Sequence, residues 1–160
     1  MPYRSRLFPL VLACISCGGK DADSSAGSWG GDDPVDCGGD PVDILPDVSV
    51  RCEIGDCSLQ VISTDPGPPD RGDNTWTLQV LDATDAAMSI TALQGSPFMP
   101  AHNHGTSPAD HAGISTDQVT WTVGPFDLFM PGLWELRVAI LLDEPTDAER
   151  QAIIPFCVEG

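Results

Sequence analysis

From position 52 onward the chain alternates apolar and polar residues in short runs. In "TWTLQVLD" (75–82), Trp76, Leu78 and Val80 fall on one side and Thr75, Thr77 and Gln79 on the other. "QVTWTV" (118–123) aligns Val119, Trp121 and Val123, and "LWELRVAILL" (133–142) sets Trp134, Leu136, Val138 and Ile140 against Glu135 and Arg137. "MSITALQ" (88–94) groups Met88, Ile90 and Ala92, "RQAIIPFCV" (150–158) groups Ala152, Ile154 and Phe156, and "SLQVIS" (58–63) is patterned more weakly. A period of two with Gly, Pro and Asp between the runs predicts half-buried antiparallel strands. Six or seven strands in about a hundred residues predict an all-β chain folded as an immunoglobulin-like antiparallel β-sandwich. The one helical signal, a capping box from Thr146 to Glu149 in "TDAER", is followed by a run too short and too β-branched to propagate, so a single turn is expected there.

The first fifty residues read differently. Arg4 and Arg6 precede "LFPLVLA", an apolar run too short to span a bilayer, and small residues then lead into cysteine. Residues 1–16 therefore read as a lipoprotein signal peptide, with Cys17 or Cys14 as the acylated residue. Residues 17–50 read as a disordered acidic tether, since residues 21–50 hold eight Asp and no Lys or Arg among Gly, Ser and Pro. Such a segment has too little apolar surface to offset its ordering entropy. The folded domain is then expected over 51–160, anchored by lipid to a bacterial cell envelope, on the outer membrane where one exists.

Export also accounts for the other cysteines. Cys37, Cys52, Cys57 and Cys157 form an even set, which in an oxidising compartment predicts two disulfides in one of three connectivities. Cys157 alternates to the face opposite Ile154 and Phe156, so its partner is expected from the cysteine-bearing segment before the first strand, covering the sheet from outside. The formal charge of −17 leaves no basic footprint for nucleic acid. Partners are instead expected to be the membrane, through the anchor, and an envelope protein.

All three histidines fall in one stretch, "PFMPAHNHGTSPADH" (97–111), as His102, His104 and His111. In an extended segment His102 and His104 would direct both imidazoles to one side. Neutral imidazole is a common transition-metal ligand, and the thioethers of Met99 and Met130 favour copper(I). Met99, His102, His104 and Met130, with His111 as a fifth contributor, are the candidate metal ligands, and Asp110 with His111 would make a harder site if the loop folds back. Imidazole takes up protons below about pH 6.5, so such a site weakens in acid. No acid–base pair or Ser–His–Asp context offers a hydrolytic nucleophile, and the chain is expected not to be an enzyme. A copper centre of the His₂Cys type would need Cys157 free. The alternative is a protein-interaction module whose "MPAHNHG" loop docks on a membrane or envelope partner without metal.

Three motifs together resemble the YtkA-like domain family and its FixH-like relatives. They are Gly72 and Asn74 in "GDNTWTLQVLDA"; Met99, Pro100, His102, His104 and Gly105 in "PFMPAHNHG"; and Met130, Pro131, Gly132 and Trp134 in "LFMPGLWELRVAI". The resemblance covers about residues 56–158. The chain departs from the pattern in "ATDAAMSITAL", where the family often has a Gly-containing turn. The resemblance implies a small extracytoplasmic β-sandwich, often on a lipoprotein, and a link to copper or cytochrome-oxidase contexts.

Overall fold

The computed structural model describes Cys37 and residues 41–44, 46–142 and 149–159. Both candidate lipidation cysteines, the signal peptide and most of the tether lie outside the described residues. So do the first positions of the turn expected at 146–150, while Glu149 and Arg150 open the last strand.

Among the described residues, nine strands follow in chain order: β1 (Ser49–Arg51), β2 (Cys57–Asp65), β3 (Gly72–Asp82), β4 (Ala92–Met99), β5 (His104–Gly105), β6 (His111–Ala112), β7 (Thr120–Leu128), β8 (Gly132–Leu141) and β9 (Glu149–Val158). One antiparallel sheet has the order β1-β2-β3-β7, the other β5-β4-β8-β9 with β6 also on β4. The two inner faces meet as a β-sandwich. Trp76, Leu78 and Val80 from β3 face Trp134, Leu136 and Val138 from β8, all buried as the alternation requires. Trp76 packs on Phe156 of β9 with ring centres 4.9 Å apart.

Prolines within strands sit where no ladder partner is needed. Along the outer edge of β4, β6 pairs Gln94 and Gly95 and β5 pairs Phe98 and Met99, so Pro97 falls in the gap between them. Pro155 lies on the edge strand β9, and its carbonyl accepts the Val42 N–H at 2.8 Å.

Two sequence expectations shift. The strand expected over 88–94 is displaced: β4 starts at Ala92 and runs on to Met99. Met88 and Ile90 instead cross between sheets, their N–H groups donating to Val80 and Gln118 carbonyls at 2.9 Å each. Ile90 is buried and Met88 half-buried against the core, so the apolar spacing there reports burial rather than pairing. The end of the expected tether also belongs to the folded unit. Ser49 and Val50 pair with β2, and the Asp47 N–H donates to the Val61 carbonyl at 2.9 Å.

Cys37 and Cys157 form one disulfide, and Cys52 and Cys57 the other. Cys157 does face outward, and its partner does come from the segment before β1. The short Cys52–Cys57 loop is held to the other sheet by Asp56, whose carboxylate accepts from Arg150 at 2.6 to 2.9 Å. The Arg150 hydrogen bond holds the Asp56 carboxyl below its ordinary range.

Candidate functional site

β4 ends at Met99, and the chain reverses at once. Pro100 restricts the backbone, the His102 N–H donates to the Met99 carbonyl at 3.2 Å, and the Asn103 N–H donates to the Pro100 carbonyl at 3.3 Å. Asn103 takes φ 54°, a left-handed value its short amide side chain tolerates. β5 then returns along β4, with Met99 opposite His104 and Phe98 opposite Gly105. A Cβ at position 105 would lie 2.5 Å from the Pro97 carbonyl oxygen, so glycine is what lets the two backbones come this close.

His102 and His104 do meet, but not by the route the spacing implied. An extended segment would have aligned them; His102 instead lies exposed in the turn and His104 half-buried on β5. The turn wins because Pro100 opens it and Asn103 closes it. The two imidazole centres are 5.7 Å apart.

His104 lies among aromatic rings. It stacks on Phe129 at 5.3 Å with planes 21° apart, and it meets Trp134 edge-on at 6.1 Å. Its Nδ1 is buried with no hydrogen-bond partner among the described residues. Phe129 is itself 43% exposed and packs at right angles to Trp134. The Trp134 indole N–H donates to the Met130 carbonyl at 3.0 Å, which fixes the turn bearing Phe129 and Met130. Arg71 reaches the same turn, donating to the Phe129 carbonyl at 3.4 Å.

The two methionines pack inward. Met99 is 2% exposed, and its Cε packs on Gly132, where an added Cβ would lie only 2.6 Å away. Met130 is half-buried against the core. A groove of about 600 Å³ has Met99, Pro100 and His102 on one side and Pro131, Gly132 and Leu133 on the other. The structure thus joins Met99 with His102 in one groove and His102 with His104 by ring proximity. Met130 flanks the groove through the two residues that follow it.

His111 belongs elsewhere. It pairs with Gly95, four residues before Met99 on β4, which is about 13 Å of strand. Thr106 gives its hydroxyl proton to the Pro108 carbonyl at 2.8 Å, so it can only accept from His111 Nε2 at 3.1 Å. That assigns the Nε2–H tautomer to neutral His111. The ring also meets Phe126 edge-on at 5.6 Å. Asp110 is engaged too, accepting the Ser96 hydroxyl at 2.6 Å. The harder site expected from Asp110 and His111 is not assembled, because β6 pairs further along β4 instead of folding back. No group of three or more His, Cys, Asp or Glu able to hold a metal occurs among the described residues. Nor is Cys157 available as a thiolate ligand, being bonded to Cys37.

Sequence reasoning missed Phe129 and Arg71. Phe129 did leave a signal: it precedes Met130 in "LFMPG" and follows the buried Leu128, so an outward aromatic beside the motif was readable. Arg71 left none, since its contact depends on the β2–β3 connection reaching the β7–β8 turn. Comparison with protein-family models, curated proteins and solved structures finds no match, so the family resemblance rests on the three motifs themselves.

Proposed function

We propose that this end of the sandwich binds a soft metal ion, copper(I), through His102 and His104 with the thioethers of Met99 and Met130, and that the protein is a metal-handling accessory rather than an enzyme. The observation that carries the reading is the 5.7 Å separation of the two imidazole centres at the end of the strand bearing Met99. A metal about 2 Å from one nitrogen of each ring requires ring centres roughly 5 to 6.5 Å apart. The Nδ1 of His104, buried without a hydrogen-bond partner among the described residues, adds support, because such an atom invites a ligand. His111 stands outside this ligand set. Two disulfides support an oxidising, extracytoplasmic setting for a lipid-anchored YtkA-like domain.

Competition with a copper(I) chelator tests the reading. The wild-type chain should hold one copper(I), and the His102→Ala/His104→Ala variant should release it; equal affinity in both would remove the histidines from any metal site. Metal content by mass spectrometry on untagged protein is the complementary measurement. The metal-free docking reading draws on Phe129, an exposed aromatic stacked on His104. It predicts that chelation leaves partner capture unchanged while Phe129→Ala abolishes it.

A further inference from the structure

A second groove, of about 670 Å³, lies between the segment 41–44 and the β2–β3 connection. Pro41, Val42 and Ile44 form one wall, and Pro66, Pro68 and Pro69 the other. An adjoining recess of about 320 Å³ shares Ile44, Gly67 and Pro68, so the apolar floor continues beyond the groove. Both walls are tied down. The first is held by the Val42 N–H bond to Pro155 and by the Cys37–Cys157 disulfide. The second is pegged by Asn74, fully buried, which accepts the Asp70 N–H at 3.2 Å and donates to the Asp70 and Gly72 carbonyls at 2.6 and 2.7 Å. Proline walls have almost no side-chain entropy to lose, so the groove is preorganised for a ligand.

Its charge selects the occupant. Asp43, Asp70 and Glu159 line the groove, and among the described residues no Lys or Arg does. Arg137 is paired with Glu135, Arg150 with Asp56, and Arg71 reaches the Phe129 carbonyl. The tether before the groove wall, residues 21–40, carries six Asp and no cation, so it would be repelled. A second copy, at −17, or an anionic lipid surface would be repelled as well. We propose that this groove binds an extended basic segment of a partner protein, with apolar side chains on the proline walls and Lys or Arg at the three carboxylates. The groove is independent of the histidines, and neither reading depends on the other.

The test is fluorescence anisotropy of a labelled peptide of alternating lysine and valine, with an alternating glutamate–valine peptide as control. Replacing the groove carboxylates together (Asp43→Asn, Asp70→Asn, Glu159→Gln) should weaken binding about tenfold, each rim charge giving a modest share. Replacing three exposed carboxylates elsewhere (Asp73→Asn, Asp85→Asn, Asp127→Asn) removes the same charge and should change affinity less than about twofold. Pro41→Arg, which places a cation in the groove at an exposed position, should also weaken binding. Equal losses in the two triple variants would assign the binding to overall acidity and overturn the proposal. So would a wild-type chain that does not distinguish the two peptides.

Discussion

β5 and β6 are each two residues long, each begins with a histidine, and both lie on the same edge of β4. Their histidines nonetheless have opposite surroundings. His111 gives its Nε2 proton to Thr106 and rests on Phe126. The chain after it is braced by the Gly113 N–H on the Leu93 carbonyl at 2.7 Å and by the Ile114–Thr122 bridge. His104 follows a turn closed by backbone bonds of 3.2 and 3.3 Å, and its buried Nδ1 has no partner among the described residues. One histidine completes a structural contact; the other keeps a buried ring nitrogen without a partner among the described residues. Residue type and sheet position do not separate them, whereas hydrogen-bond accounting does.

The sharpest way to break this contrast is to remove the histidines in turn. His102→Ala/His104→Ala should lower copper(I) affinity by more than about a hundredfold, a loss suited to removing two ligands. Its melting temperature should stay close to wild type, because His102 is exposed and His104 only half-buried. Comparable copper affinity in the His111→Ala variant and a large loss in the double variant would uphold the distinction; the reverse pattern would abolish it.

Next in size is a change to the backbone of β5. Gly105→Ala drives a Cβ onto the Pro97 carbonyl, where no flexible side chain can move aside. A loss of about 2 kcal/mol is expected from urea unfolding, within the range for overpacking. Ala112 on β6 is exposed, and Ala112→Ser should cost less than about 0.5 kcal/mol. Similar costs at the two sites would mean that β5 does not approach β4 as closely as its register requires.

A smaller effect is expected from His111→Ala alone: about 1 kcal/mol of stability, the usual net contribution of one hydrogen bond. Thr106 keeps its bond to Pro108 in that variant and is not left unsatisfied. Chemical denaturation of His111→Ala beside His104→Ala should show the first less stable than the second.

The mildest perturbation is acid. Asp117, in the loop after β6, accepts the N–H groups of Thr120 and Val119 and the Ser115 hydroxyl, and these bonds push its carboxyl down to about 2. A depressed carboxyl contributes stability fully above its ordinary value of 3.8 and loses it as pH falls through about 2. The loop beyond β6 should therefore loosen between those values while the turn before β5, which has no such carboxylate, is unaffected. Amide exchange at Val119 and Thr120 followed from pH 5 to 2 would show the difference, and Asp117→Asn should remove the pH dependence there.

Much of the fold was legible because alternation is local. Trp76, Leu78 and Val80, or Trp134, Leu136 and Val138, announce a buried face without reference to any partner. The same logic turned Cys157 outward and pointed to a cysteine before the first strand. β1, β5 and β6, at two or three residues, are too short to show a period. At Met88 and Ile90 the apolar spacing was real but recorded burial in a crossing segment instead of a strand.

For the candidate site, the sequence by itself determined the ingredients: two histidines two residues apart, a methionine–proline before them and another just ahead of β8. It also determined which side chains could ligate a metal, since that is a property of residue type. Only the tertiary structure decided which of them meet. His102 and His104 come together because a turn at Pro100–Asn103 brings His104 back opposite Met99, and Phe129 joins them because the β7–β8 turn reaches the same end. His111 is kept apart by its register against Gly95. Faces follow from a period of two within one strand, whereas register is set by pairings between distant strands, and no local pattern carries that information.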